Sequence, residues 1–179
     1  DHDNDVNETE SGFKLPDVIG ILPIRNAVAY PGTVMPLAIG RERSKRLLED
    51  TKPNESVLGL LTQRNPETDK PAPKDLYKIG TAVSLLKVIK LPQGSSNIIV
   101  HGICRFEIVE IVATEPYLKA KVRQLDVTAK MTKKLKALMV NVRQTANRVI
   151  ALSPNVPEEA SVLLENIENP SALADFLAA

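Results

Sequence analysis

Tryptophan is absent from the 179 residues, and aromatic side chains make up only 3% of them. Any core must therefore be filled by aliphatic side chains, drawn from a hydrophobic share of 43%. The single cysteine, Cys104, excludes an internal disulfide, and its apolar neighbours fit a reducing compartment. With only His2 and His101 beside it, a zinc site would lack nitrogen and sulfur ligands. No stretch approaches the roughly 20 uncharged apolar residues that a bilayer span requires. Neither sign of charge is in excess: 23 basic residues face 22 acidic ones, for a net charge of +1. A dedicated nucleic-acid binder usually carries a strong basic surplus, so that class is disfavoured. The eight glycines never spell G-x-x-x-x-G-K-[ST], and no G-x-S-x-G elbow occurs. His101 falls in a β run, on the strand face opposite Cys104, with no orienting acid in view. It reads as a strand-surface histidine, and Cys104 reads as a small core thiol. No catalytic residue, metal or cofactor is expected, and neither is a membrane partner.

What is present is punctuation and periodicity. Residues 1–12 are acidic and nearly free of large apolar groups, which predicts a disordered head containing a solvated His2. The start at Asp1 rather than Met suggests that something was removed. The first residues lack the basic-then-apolar pattern of a secretory signal. From Phe13 onward the chain reads mainly as strand. Val18 to Ile24 is β-branched, and Val34 to Ile39 follows the turn signal Tyr30-Pro31-Gly32. Arg41 to Asp50 predicts a short helix with Leu47 and Leu48 inward, and Val57 to Leu61 a buried strand. Residues 62–75 are polar and proline-rich, hence a long loop. Thr81 to Leu91 is β-rich and ends at the turn Pro92-Gln93-Gly94. Ile98, Val100, Gly102, Cys104, Phe106 and Ile108 share one parity, which slips at Val109, so a bulge is expected there. Leu118, Ala120 and Val122 alternate with Lys119, Lys121 and Arg123, giving a half-buried strand with a basic face. Many short strands with few crossover helices predict a mixed or antiparallel barrel.

Beyond about Ala129 the period changes. Leu135, Leu138, Met139, Val142, Ala146, Val149 and Ile150 form one helical stripe, ended by Pro154. A second helix opens near Pro157, with Ala160, Leu163, Leu164 and Ile167 inward. Asn169-Pro170 reads as the cap and first turn of a third, carrying Leu173, Phe176 and Leu177. That last stripe runs to Ala179 without a cap, an expectation that the natural chain continues.

Three segments resemble one family in the right order. Leu22 to Ser44 (LPIRNAVAYPGTVMPLAIGRERS) is similar to the opening signature of the amino-terminal domain of Lon-type ATP-dependent proteases. Asp75 to Ile111 carries the D-L-Y-x-I-G-T start, the K-L-P-x-G turn and the V-x-G-x-x-R-F run of its second. Ile167 to Ala179 resembles the I-[DE]-[DN]-P-x-x-L-A-D segment of its third. The resemblance implies an α+β fold: a PUA-like, mostly antiparallel β-barrel domain over 13–127, then a small helical subdomain over 128–179, truncated at its C-terminal end. It also implies a non-catalytic part of an ATP-dependent serine endopeptidase. That part would recruit unfolded or damaged protein substrates and support assembly with other Lon subunits into a hexamer. A bacterial cytoplasm is expected ahead of a mitochondrial matrix. A receptor for unfolded chains needs adaptable apolar patches, and the residues beside two turns are the candidates: Val28, Ala29, Tyr30 and Pro31, and Leu91 and Pro92. Packing of Val28, Ala29 and Tyr30 back onto the core is the competing structural expectation. The functional alternatives are a PUA-like RNA-binding module, using Lys119, Lys121 and Arg123 with Lys130, Lys133, Lys134 and Lys136, and a stand-alone Lon-domain adaptor.

Overall fold

The computed structural model describes residues 13–92, 94–126, 129–157 and 159–179. The head at 1–12 and the expected boundary at 127/128 lie outside the described residues. The elements run β1 (Val18–Ile24), β2 (Val34–Ile39), α1 (Glu42–Glu49), β3 (Val57–Thr62), β4 (Ile79–Lys90), β5 (Ser96–Ala113) and β6 (Lys119–Leu125). Three helices follow: α2 (Lys133–Leu152), α3 (Glu159–Asn166) and α4 (Pro170–Ala178).

The 18-residue β5 closes the sheet because it has neighbours enough for two strands. Its first part pairs β2 on one side and β4 on the other, and its second part reaches β6. β6 pairs β1, β1 pairs β3, and β3 pairs β4, which returns to β5. The ring β5–β4–β3–β1–β6 is thus a closed barrel flanked by β2, and only the β1–β3 pair is parallel. The long strand can turn this corner because extra residues bend it. Its ladder with β6 skips between Ile108 and Glu110, at the parity slip read from the sequence, and again between Ile111 and Ala113. The two skipped residues, Val109 and Val112, are exposed. β2 has one neighbour among the described strands, and Pro36 sits mid-strand where a free edge needs no ladder N–H.

Two aliphatic clusters lie on either side of the barrel wall. One gathers Ile19, Ile21, Leu61, Ala82, Phe106, Ala120 and Val122. The other gathers Leu22, Ile24, Leu58, Leu60, Val83 and Leu85 with Leu47 and Leu48 of α1. β1 and β3 contribute to both, which is why they read as unbroken apolar runs. Phe106 is fully buried, and Gly59 makes room for it: a Cβ there would lie 2.7 Å from the Phe106 ring. Tyr117 ties α1 to the barrel by donating its hydroxyl to Asp50 Oδ2 at 2.7 Å. Burial, and then this carboxylate, raise the Tyr117 pKa. The associated stability is fully present below the ordinary tyrosine value of about 10 and is lost as pH rises through the raised folded value. Tyr117→Phe should cost about 1 kcal/mol at neutral pH. Melting curves at neutral and strongly alkaline pH should also show the variant losing less stability than the parent.

The helices pack as a third cluster around Met139, Leu164 and Leu173. Their caps are local: Thr132 Oγ1 accepts the Leu135 N–H, and Asn169 Oδ1 accepts from Ser171 and Ala172. The apolar stripes are narrower than their sequence patterns. Leu138 and Val149 of α2, Leu163 of α3 and Leu177 of α4 are exposed. On α2 the packed face runs from Leu135 through Met139, Val142 and Ala146 to Ile150, and Leu138 and Val149 lie along one edge of it, outside the cover of the two short helices.

Candidate functional site

The three sequence signatures converge on the middle of β5. In the first, Pro31-Gly32 makes a turn in which Thr33 N–H donates to Tyr30 O, with Gly32 at φ +78°. A positive φ at the third turn residue is the type II geometry that favours glycine. This turn docks on Gly102: Gly32 N–H donates to Gly102 O at 2.9 Å, and Gly102 N–H to Thr33 O at 2.8 Å. The Tyr30 carbonyl occupies the space where a side chain at 102 would stand. Thr81, from the second signature, donates its hydroxyl to Ala29 O at 2.7 Å. Arg105, three residues beyond Gly102, holds Asp175 of the third signature. Its Nη1 donates to Oδ2 at 2.9 Å and its Nη2 to Oδ1. The guanidinium pKa is raised by this hydrogen bond, and the carboxylate is 6% exposed.

With these contacts in place, the 26–30 loop and the end of α4 both line a cleft of about 970 Å³. Val28, Tyr30, Met35, Tyr77 and Ile79 supply its apolar lining. Val28, in the loop, is 52% exposed, and Ile79, the first residue of β4, is 55% exposed. The Arg64 guanidinium lies over the Tyr77 ring at 4.5 Å and adds a charged edge. Of the loop residues read from the sequence, Val28 is exposed, Tyr30 and Pro31 are half-buried, and Ala29 is a core residue at 8%. Leu91 and Pro92 are exposed at the tip of the β4–β5 hairpin, where Leu91 N–H donates to Ser95 O. Gly102 and Ser96 are six residues apart on β5, roughly 20 Å at strand rise, so the two turns do not form one surface. Sequence reasoning missed Met35, Tyr77 and Ile79. The spacing Tyr77-x-Ile79 was an available signal, because it puts two large apolar groups on one strand face.

The other candidates have ordinary surroundings. His101 is half-buried and sits in the ladder between Val34 and Ser84. Burial first, and Asp126 second, push the Cys104 thiol pKa up, which keeps it protonated and a poor nucleophile. Among the described residues, no group of three or more His, Cys, Asp or Glu could hold a metal ion. No described helix is long and apolar enough to cross a membrane. The basic strand face is partly engaged: Lys119 lies 4.9 Å from the Tyr117 ring centre, and Arg123 pairs with Glu107 at 2.6 Å. Lys121 is exposed, as are Lys130, Lys133, Lys134 and Lys136.

Comparison with known proteins gives the family. Residues 18–179 match the family described as the ATP-dependent protease La (LON) substrate-binding domain. Lon protease 2 of Myxococcus xanthus is 40% identical over 166 residues, 92% of this chain and 20% of that protein. Lon protease of Dictyoglomus thermophilum is 35% identical over 176 residues, 98% of this chain and 22% of that protein. The chain thus spans about one fifth of these relatives. In fold it is similar to the N-terminal domain of Mycobacterium avium complex Lon protease, with a TM-score of 0.69 at 19% identity, covering 88% of this chain and 80% of that one. A Lon N-terminal domain protein from Xanthomonas campestris gives 0.55 at 14% identity, covering 90% and 96%. With residues 18–179 matching the family and relatives up to 40% identical over nine tenths of it, the chain belongs to the Lon substrate-binding domain family.

Proposed function

We propose that this domain recruits unfolded or damaged polypeptides for a Lon-type ATP-dependent serine protease and supports assembly of its hexamer. The cleft between the 26–30 loop and α4 is the receiving surface. The observation that carries this reading is the gathering of exposed Val28, Tyr77 and Ile79 at one cleft. Folded proteins rarely leave such groups clustered on a rigid surface without a use. An unfolded chain offers apolar side chains in no fixed order, and a shallow apolar lining with one charged edge accepts many of them. Affinity per copy is weak, and repetition around a ring would raise it through effective concentration. The hairpin tip with Leu91 and Pro92 is a separate, secondary contact for a long substrate. The natural setting in this reading is the bacterial cytoplasm.

Replacing Tyr77 and Ile79 together with serine should weaken binding of a reduced, unfolded model protein about tenfold. Exposed positions contribute within about 0.5 kcal/mol to folding, so the melting temperature should hold. Isothermal titration alongside calorimetric melting checks both. A folded double variant that binds as the parent does would place recruitment elsewhere. Leu91→Ser, measured in the same way, reports the share of the hairpin tip.

A further inference from the structure

The charged residues on the recruiting cleft are of one sign. Among the described residues, those that line it with a charged side chain are Arg64 and Lys78, both cations. The chain as a whole is balanced, with 23 basic and 22 acidic residues, so the excess is local. Neither Arg64 nor Lys78 has an ion pair among the described residues. The neighbouring carboxylates do not offset them. Glu107, opposite Ile79 in the β4–β5 ladder, pairs with Arg123, and Asp175 pairs with Arg105. Asp75 Oδ2 accepts the Ala72 N–H at 2.8 Å. Glu67 follows Pro66 of the lining but does not itself line the cleft.

Arg64 is held at the apolar surface by its surroundings. Its backbone N–H donates to Asp75 O at 2.8 Å, its Nε donates to Leu76 O at 3.2 Å, and its guanidinium lies over the Tyr77 ring at 4.5 Å. These contacts use one nitrogen and one face of the guanidinium. Nη1 and Nη2 donate to no described residue, which leaves a planar fork suited to a carboxylate. Tyr77 lines the cleft with Val28 and Ile79, so the stacked cation stands beside the groups that would meet an apolar side chain.

Resting on the recruitment reading, we propose that the cleft selects, among unfolded segments, those whose apolar side chains are flanked by an acidic residue, and that Arg64 sets this choice. The apolar side chains lie against Val28, Tyr77 and Ile79, and the acidic side chain takes the Arg64 fork. A segment flanked by lysine or arginine brings like charges together, with no carboxylate side chain among the described lining residues to offset them. Apolar contact supplies most of the affinity, and the exposed ion pair adds a moderate preference.

The test titrates this chain, with its amides followed by NMR, using three short acetylated and amidated peptides. They share a Leu-Val-Leu core and are flanked by aspartate, by serine or by lysine. The aspartate peptide should bind about fivefold to tenfold more tightly than the lysine peptide, with the serine peptide between them. High salt should narrow that ratio. Arg64→Gln should cut the ratio at least about threefold while holding the serine peptide within about twofold of the parent, and Arg64→Glu should cut it further. A merely structural role for Arg64 would move all three peptides together. Should the variants fail to fold, the order of the peptides on the parent chain and its salt dependence still decide the matter. Equal binding of the three peptides at the cleft would overturn the selectivity and leave recruitment standing. An unchanged ratio in folded Arg64→Gln would overturn the role given to Arg64. Silence of Val28, Tyr77 and Ile79 with all three peptides would overturn the recruitment reading and the selectivity with it.

Discussion

Gly102→Ala should lower the melting temperature by roughly 10 °C and release the 26–33 loop from the sheet. A Cβ at this position would fall well inside contact distance of the Tyr30 carbonyl oxygen, with the Pro31 Cα at 3.2 Å behind it. Both obstacles are backbone, so no rotamer change relieves them. Either β5 must bend or the loop must lift, and lifting breaks the two hydrogen bonds that Gly102 exchanges with Gly32 and Thr33. Overpacking plus lost buried hydrogen bonds amounts to about 3–4 kcal/mol. For a chain of this size each kcal/mol moves the midpoint by about 2–4 °C. Gly40→Ala is the control, because nothing lies within 4 Å of its Cβ position. Thermal melts of the two variants side by side decide the matter, and equal midpoints would refute this account of the loop.

Asp175→Asn should cost about 2–4 kcal/mol, because it leaves the Arg105 guanidinium without its countercharge in a largely covered site. The effect should be concentrated at one place. Asp175 is the buried charged residue of α4, and its bidentate bond to Arg105 links that helix to β5. Hydrogen exchange should rise across α4 and at the Met139, Leu164 and Leu173 cluster while the β1–β3 ladder stays protected. Uniform loss of protection throughout the barrel would show that the ion pair does not act as a local tether. A lowered melting temperature without change at α4 would show the same.

Strand and helix positions were readable because period and punctuation agree along most of the chain. Val18–Ile24 and Val34–Ile39 are found where the β-branched runs lie, and Asn169 caps α4 as its pairing with Pro170 suggests. The Val109 slip is a real bulge, since a break in alternation has no other cheap explanation in a strand. Barrel closure was less accessible, because it depends on β5 pairing with three strands, a property of register rather than composition. The site was half legible. Val28 and Tyr30 stand beside a recognisable turn, but Ala29 points into the core, where Leu22, Leu60 and their neighbours pack. Tyr77 and Ile79 precede the run from Thr81 that reads as strand, and nothing local reveals that the loop between β1 and β2 will lie beside them. Leu91 and Pro92 have the same local chemistry as the first turn, and only the length of the hairpin sets them apart.

The most direct test of the recruiting cleft is chemical-shift mapping of this chain with a reduced, unfolded model protein and with its folded, oxidised form. The account predicts saturable perturbations centred on Val28, Tyr30, Met35, Tyr77, Ile79 and Ala178, with much smaller ones from the folded form. Perturbations confined to the exposed helical residues Leu138, Val149 and Leu163, with the cleft silent, would contradict it.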